Sequence, residues 1–278
     1  MSASAQQDTY VKYAVAAIML CLVVLVALSQ RQSFFWDTIQ LSSMQANFFY
    51  EHGFRQMLLP PEIDSGHPPG FGLYLAFCWT LFGKSLALSH WVMLPFLLGI
   101  VYFLYRLGQY FFAGWWVLVA PLLALLDPVL LGQSVLVSPD IALVFFFLLT
   151  TVGLFEKRNV FLLLGGLGLV AISMRGMMVL AALYVFQLAK SWLEVNKIPR
   201  LKNVFQLLLP FLPGAVLGFA FLSWHYMAAG WIGYHADSPW APSFTKVDVS
   251  GFFKNIAVLG WRFLDFGRFV LFPIAFFL

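Results

Sequence analysis

Apolar residues gather along this chain in long runs broken by short polar or Pro/Gly connections. Runs at about 13–28, 88–106, 115–133, 139–155, 160–174, 176–190 and 204–224 approach the roughly 20 residues that a membrane-crossing helix requires. They predict seven spans. A last run, Phe266 to Leu278, is too short for a hydrocarbon layer about 30 Å thick. It reads either as the mark of a fragment, with a C-terminal part missing, or as an incomplete final helix. The segment from Gly70 to Phe82 is as apolar as a span but reaches only about 20 Å at 1.5 Å per residue. It predicts a helix lying in the interface, with Pro69 in its first turn and Gly83 at its C-terminal cap.

With that segment not spanning, residues 30–87, 134–140, Arg175 and 225–253 fall on one side, and 1–12, 107–114, 156–159 and 191–203 on the other. Lys and Arg in short loops mark the cytoplasmic side. The compact Glu156–Asn159 turn and the basic run from Lys190 to Asn203 therefore place the second set in the cytoplasm. Residues 1–12 read as a cytoplasmic tail, of which 1–10 are expected to be flexible and without folded content, and 13–278 as one transmembrane domain whose first external loop is 30–87. Lys12 is the only basic residue ahead of the first run, and no small-residue cleavage site follows it, so an uncleaved span is expected.

Composition agrees with the pattern: 62% hydrophobic and 10% charged residues, with a mean hydropathy of +0.86, exceed what a soluble core needs. The class is an all-α, polytopic integral membrane protein with seven to eight transmembrane helices and interfacial helices in the first external loop. The formal net charge of +4 sits on scattered residues, which excludes a continuous basic surface for nucleic acid. Cys21 and Cys78 lie inside apolar helices, where a thiol behaves as a small buried hydrophobe.

All 5 histidines and most of the 12 acidic residues fall at or near the outer side, which points to a site there. From Asp37 a helix is expected, with Gln40, Ser43, Asn47 and Glu51 on one face and Leu41, Met44 and Phe48 on another. Asp37 suits either a catalytic carboxylate or a first-turn acid held by the helix dipole. His67, ahead of Pro68 and Pro69, is either an ordinary loop histidine or a ring presented beside a helix N-terminus, a place that suits phosphate. Ser138 or Asp140 can cap the fourth span. Arg175, isolated between apolar runs, should face a polar cavity, where a cation anchors an anionic ligand. His225, Tyr226 and Trp231 suit either a sugar or lipid groove or an interfacial aromatic belt.

The order of these parts resembles a known superfamily. Asp37 after the first span, a helix ending at Gly53, the HPPGFGLYLAFCWTLFGK segment from His67, SPDIALVFF from Ser138, SMRG closing the fifth span and LSWHYMAAGW from Leu222 together resemble the membrane glycosyltransferases of the GT-C fold. Within them, the likeness is to the dolichyl-phosphate-mannose protein mannosyltransferases and bacterial lipid A aminoarabinose transferases. The resemblance implies a glycosyltransferase that moves a hexose or pentose from a polyprenyl-phosphate carrier to a lipid, glycan or protein acceptor on the outer face. It implies catalytic roles for Asp37 and Asp140 and substrate contacts for His67 and Arg175. The family often carries a second acid after the first, where Thr38 stands here; a divalent cation held by Asp37 and Asp140 is left open. The location implied is a bacterial inner membrane with the site facing outward.

General-base and phosphate-stabilising roles fit these residue types independently of the resemblance. The competing class is a lipid or solute transporter, or flippase, which would show midplane charges, inverted repeats and paired broken helices.

Overall fold

The computed structural model describes residues 3–195, 201–233, 235 and 246–270, and among them the regular structure is entirely helical. Five helices are long and apolar enough to cross a membrane, Gln6–Ser29, Leu86–Phe111, Pro139–Glu156, Met174–Glu194 and Leu212–Ala229, or six if a bent pair counts as one span.

The first helix, α1 (Ala3–Ser29), buries Val11, Val15, Ile18, Leu22 and Val26, a stripe at three- and four-residue spacing. It packs along α5 (Leu94–Phe111). Residues 3–10, expected as part of a flexible tail, belong to this helix. No Pro or Gly separates them from the apolar run, and the buried stripe begins at Val11.

A continuous helical segment then starts at Asp37, winds as a π-helix over Ile39–Met44 and continues as α2 (Gln45–His52), which ends on Gly53 in the left-handed conformation. Its buried side is Ser42, Gln45, Ala46 and Phe49, not the expected Leu41, Met44 and Phe48. The wider π turn rotates the later residues relative to an α-helical wheel. Helix α3 (Gly70–Phe82) follows, with Pro69 as its N-cap residue and Gly83 at its C-cap as expected. It packs against α2 and the end of α9 (Asn159–Ile172).

After α4 (Leu86–Trp91) and α5, the run expected as one span over 115–133 is broken. A 3-10 turn (Gly114–Leu118) and α6 (Val119–Leu126) meet α7 (Pro128–Ser134) at a bend of 68°. Asp127 sits at the break and accepts from Val129 N–H and Leu130 N–H, at 3.0 and 2.9 Å. The cap plus Pro128 at the first position restarts the helix in a new direction.

Helix α8 (Pro139–Glu156) and α9 form an antiparallel pair beside α10 (Met174–Val195) and α12 (Leu212–Ala229). At 14 residues, α9 rises only about 21 Å. The expected span over 204–224 is divided into α11 (Leu201–Leu208) and α12. A final amphipathic helix, α13 (Val249–Leu264), precedes a 3-10 turn (Asp265–Val270). Of the last apolar run, residues 271–278 lie outside the described residues.

Contacts sort the connections into two ends. At one end Ser42 Oγ donates to Val137 O, Trp91 Nε1 to Gln30 Oε1, and His225 meets Asp64. At the other, Arg106 pairs with Glu156 at 2.6 Å, and Lys190 lies over the Phe155 and Tyr110 rings.

Candidate functional site

Three helix starts meet at the first of these ends. Ser138 caps α8 by accepting from Asp140 N–H at 3.2 Å, so the Asp140 carboxylate is not spent on the cap. Ser173 stands in the same relation to α10, accepting from Arg175 N–H at 3.2 Å. The third start is that of α3, directly after His67-Pro68-Pro69. Pro68, Phe71, Pro139, Asp140, Ser173 and Arg175 line one narrow cleft with His67, and Leu41 and Gln45 close it from the π turn and α2.

His67 is held there by two glycines. Gly66 adopts φ +71°, and a Cβ on it would lie 2.7 Å from Gly233 O and from the Trp231 ring. A Cβ on Gly70 would lie 2.3 Å from Ala171 O, far inside van der Waals contact. Only bare backbone lets the loop slide between the 231–233 segment and the end of α9.

Arg175 Nη2 lies 3.6 Å from Asp140 Oδ1, and their side chains are 60% and 44% exposed. At that distance this is an ion pair, not a hydrogen bond, so the guanidinium keeps free donors for a planar oxyanion. His67 Nδ1 is buried without a hydrogen-bond partner. Burial first, and the Arg175 charge second, hold the His67 ring below the ordinary histidine range, against the opposing pull of Asp64 and Asp140. The ring is therefore neutral at pH 7, and the helix starts supply oriented N–H dipoles beside it.

Asp37 lies on the surface at the head of the π segment, exposed and outside the cleft lining. It precedes Leu41 and Gln45 by about one and two turns of the same helix. The structure thus brings together His67, Asp140 and Arg175, and sets Asp37 on an element that closes their cleft.

His225 has a different place from the groove lining expected of it. It is 2% exposed, and its Nε2 lies 2.8 Å from Asp64 Oδ2, while its Nδ1 lies 3.0 Å from Trp231 O. Both nitrogens face oxygen atoms, one a carboxylate and one a backbone carbonyl. Asp64 in turn accepts from Gly66 N–H at 2.8 Å. The pair thus ties α12 to the loop that presents His67. Tyr226, one residue on, is 56% exposed. Asp64 is the residue that sequence reasoning passed over. Its signal was the Asp-Ser-Gly turn at 64–66, in which an Asp side chain bonds the backbone two residues on.

Among the described residues no three His, Cys, Asp or Glu side chains converge as a metal cage. Asp140 is turned to Arg175 and Asp37 lies outside the cleft lining, so these two acids do not fit the shared oxygen set a divalent cation requires. No family model, curated protein or solved structure matches the chain.

Proposed function

We propose that the protein is a membrane glycosyltransferase of the GT-C kind, moving a sugar from a polyprenyl-phosphate carrier to an acceptor on the outer face of a bacterial inner membrane. The observation that carries the reading is the meeting of three helix N-termini around His67 and Arg175, an arrangement suited to a phosphate group. In this reading 30–87 is the first external loop. Spans beyond the five long helices come from the bent 114–134 pair, the short α9 and the C-terminal run.

In the reaction, the acceptor oxygen attacks the anomeric carbon and Asp37 takes its proton. The bond from that carbon to the carrier phosphate breaks, and the electron pair leaves with the phosphate. Arg175, oriented by Asp140, and His67 stabilise the departing anion, as positive charge and dipoles aimed at developing charge do. Tyr226, exposed beside the buried His225, is placed to touch the carrier or sugar.

The experiment is Asp37→Asn in the full chain, with transfer from a polyprenyl-phosphate sugar and carrier binding both measured. A fall in transfer of about 10² to 10⁴-fold with binding retained supports the base assignment; unchanged transfer refutes it. Mass spectrometry of copurified lipid should show the carrier, and Arg175→Ala should remove it. One observation favours a transporter: the break at Asp127, a charge inside an apolar helix pair. It is single among the described residues, whereas transporter sites come from paired breaks.

A further inference from the structure

A second and larger cavity, of about 820 Å³, opens on a different side of the helix that closes the cleft. Its liners include Ser43, Asn47, Phe48, Glu51, His52 and Lys84. Gln45, which faces the cleft, is two residues from Asn47 and so about 200° away around the helix. The volume lies within the range of small-molecule sites.

We propose that this cavity is a saccharide-binding site, taking a neutral, hydroxyl-rich pyranoside. Asn47 Nδ2 donates to Glu51 Oε1 at 2.7 Å, and Asn47 Oδ1 accepts from Lys84 Nζ. The carboxylate and the ammonium among the liners are thus bridged by one neutral amide. Lys84 is further engaged by the faces of Trp79 and Tyr50, at 5.3 and 5.5 Å from their centroids. No unbalanced charge is left to select an ionic ligand. What remains is a mixed array of hydrogen-bonding groups: the second Glu51 oxygen, the second Asn47 N–H, the remaining Lys84 donors and the Ser43 oxygen as an acceptor, its proton being donated to Ile39 O at 3.0 Å.

Phe48 and His52 stack at 4.4 Å between centroids, 29° from parallel. Their stripe lies next to the Ser43, Asn47 and Glu51 stripe, both at four-residue spacing on one helix. His52 Nδ1 lies 2.8 Å from Phe48 O, so it carries the proton and leaves Nε2 as an acceptor in the neutral ring. An aromatic plate beside a row of planar polar groups matches a pyranose, which has an apolar C–H face and a rim of hydroxyls. As the seat of an acceptor sugar, the cavity would deepen the transfer reading and rests on it for that role. Sugar binding is measured without transfer, so its outcome is separate from that of the Asp37 test.

Saturation-transfer NMR on the full chain in phosphatidylcholine nanodiscs, free of glycoside detergent, tests this. The probes are methyl α-D-mannopyranoside, maltose and chitobiose, with O-phosphoethanolamine as the charged comparison. Signal on at least one sugar is expected, reduced about fivefold by Asn47→Leu or by the exposed His52→Leu, the loss of one hydrogen bond or ring contact. No sugar signal in the unmodified protein, a signal indifferent to both cavity variants, or signal from phosphoethanolamine alone would each overturn the assignment.

Discussion

At the scale of single residues, the buried Asp64–His225 pair decides whether His67 stays in place. Removing the ring in His225→Ala leaves a carboxylate that is almost fully enclosed without its partner, and should destabilise the protein by about 3 to 5 kcal/mol. Asp64→Asn keeps an oxygen for Gly66 N–H and should cost clearly less. Thermal unfolding of both variants and of the double mutant reads the coupling, and additive losses would refute it. His67 carries a pH signature. Because its folded-state pKa lies below the ordinary value, its contribution to stability is complete above the unfolded-state value of about 6.5 and is lost as pH falls below it. His67→Gln should therefore flatten the decline in thermal midpoint between about pH 7.5 and 5.5. An unchanged slope would show that other groups set it. The loop histidine before two prolines was legible in sequence because local geometry presents it. Its dependence on His225, 161 positions from Asp64, was not, since no local pattern encodes that pairing.

At the scale of elements, two of the departures from expectation stand out. Asp127-Pro128 is an N-cap followed by proline, the start signal of a helix, but within uninterrupted apolar sequence it reads as part of one span. Arg268 Nε and Nη2 donate to Asp127 Oδ2 and Oδ1 at 2.8 and 3.2 Å, so this carboxylate both starts α7 and holds the turn after α13. Asp127→Ser should keep the cap and lose only the Arg268 contact, while Asp127→Ala should lose about 1 kcal/mol more. Equal midpoints for the two would show that the cap contributes nothing. The π turn over Ile39–Met44 has no sequence signature here. Across it Ser42 and Gln45 are buried while Met44 stays exposed. Gly70, by contrast, acts through contact: Gly70→Ala drives a methyl group into Ala171 O and should destabilise by about 1 to 3 kcal/mol, with carrier binding lost in parallel.

At the scale of the whole molecule, long apolar runs and charge placement made the membrane class and the sorting of loops into two ends legible. Run lengths overstated continuity at 115–133 and 204–224, because hydropathy averages over the capped breaks and turns that redirect a helix. The proposed orientation has a direct check. In a background without Cys21 and Cys78, a cysteine at Glu62 should react with an impermeant maleimide added outside intact cells, and one at Lys157 should not. The reverse pattern would invert the membrane orientation. The three starts around His67 come from residues near 70, 139 and 174, and the pair that locks the loop is completed only at His225. In a growing chain Asp64 therefore holds Gly66 N–H but lacks His225 until α12 has been made, and the loop that presents His67 gains its tie to the last long helix only then.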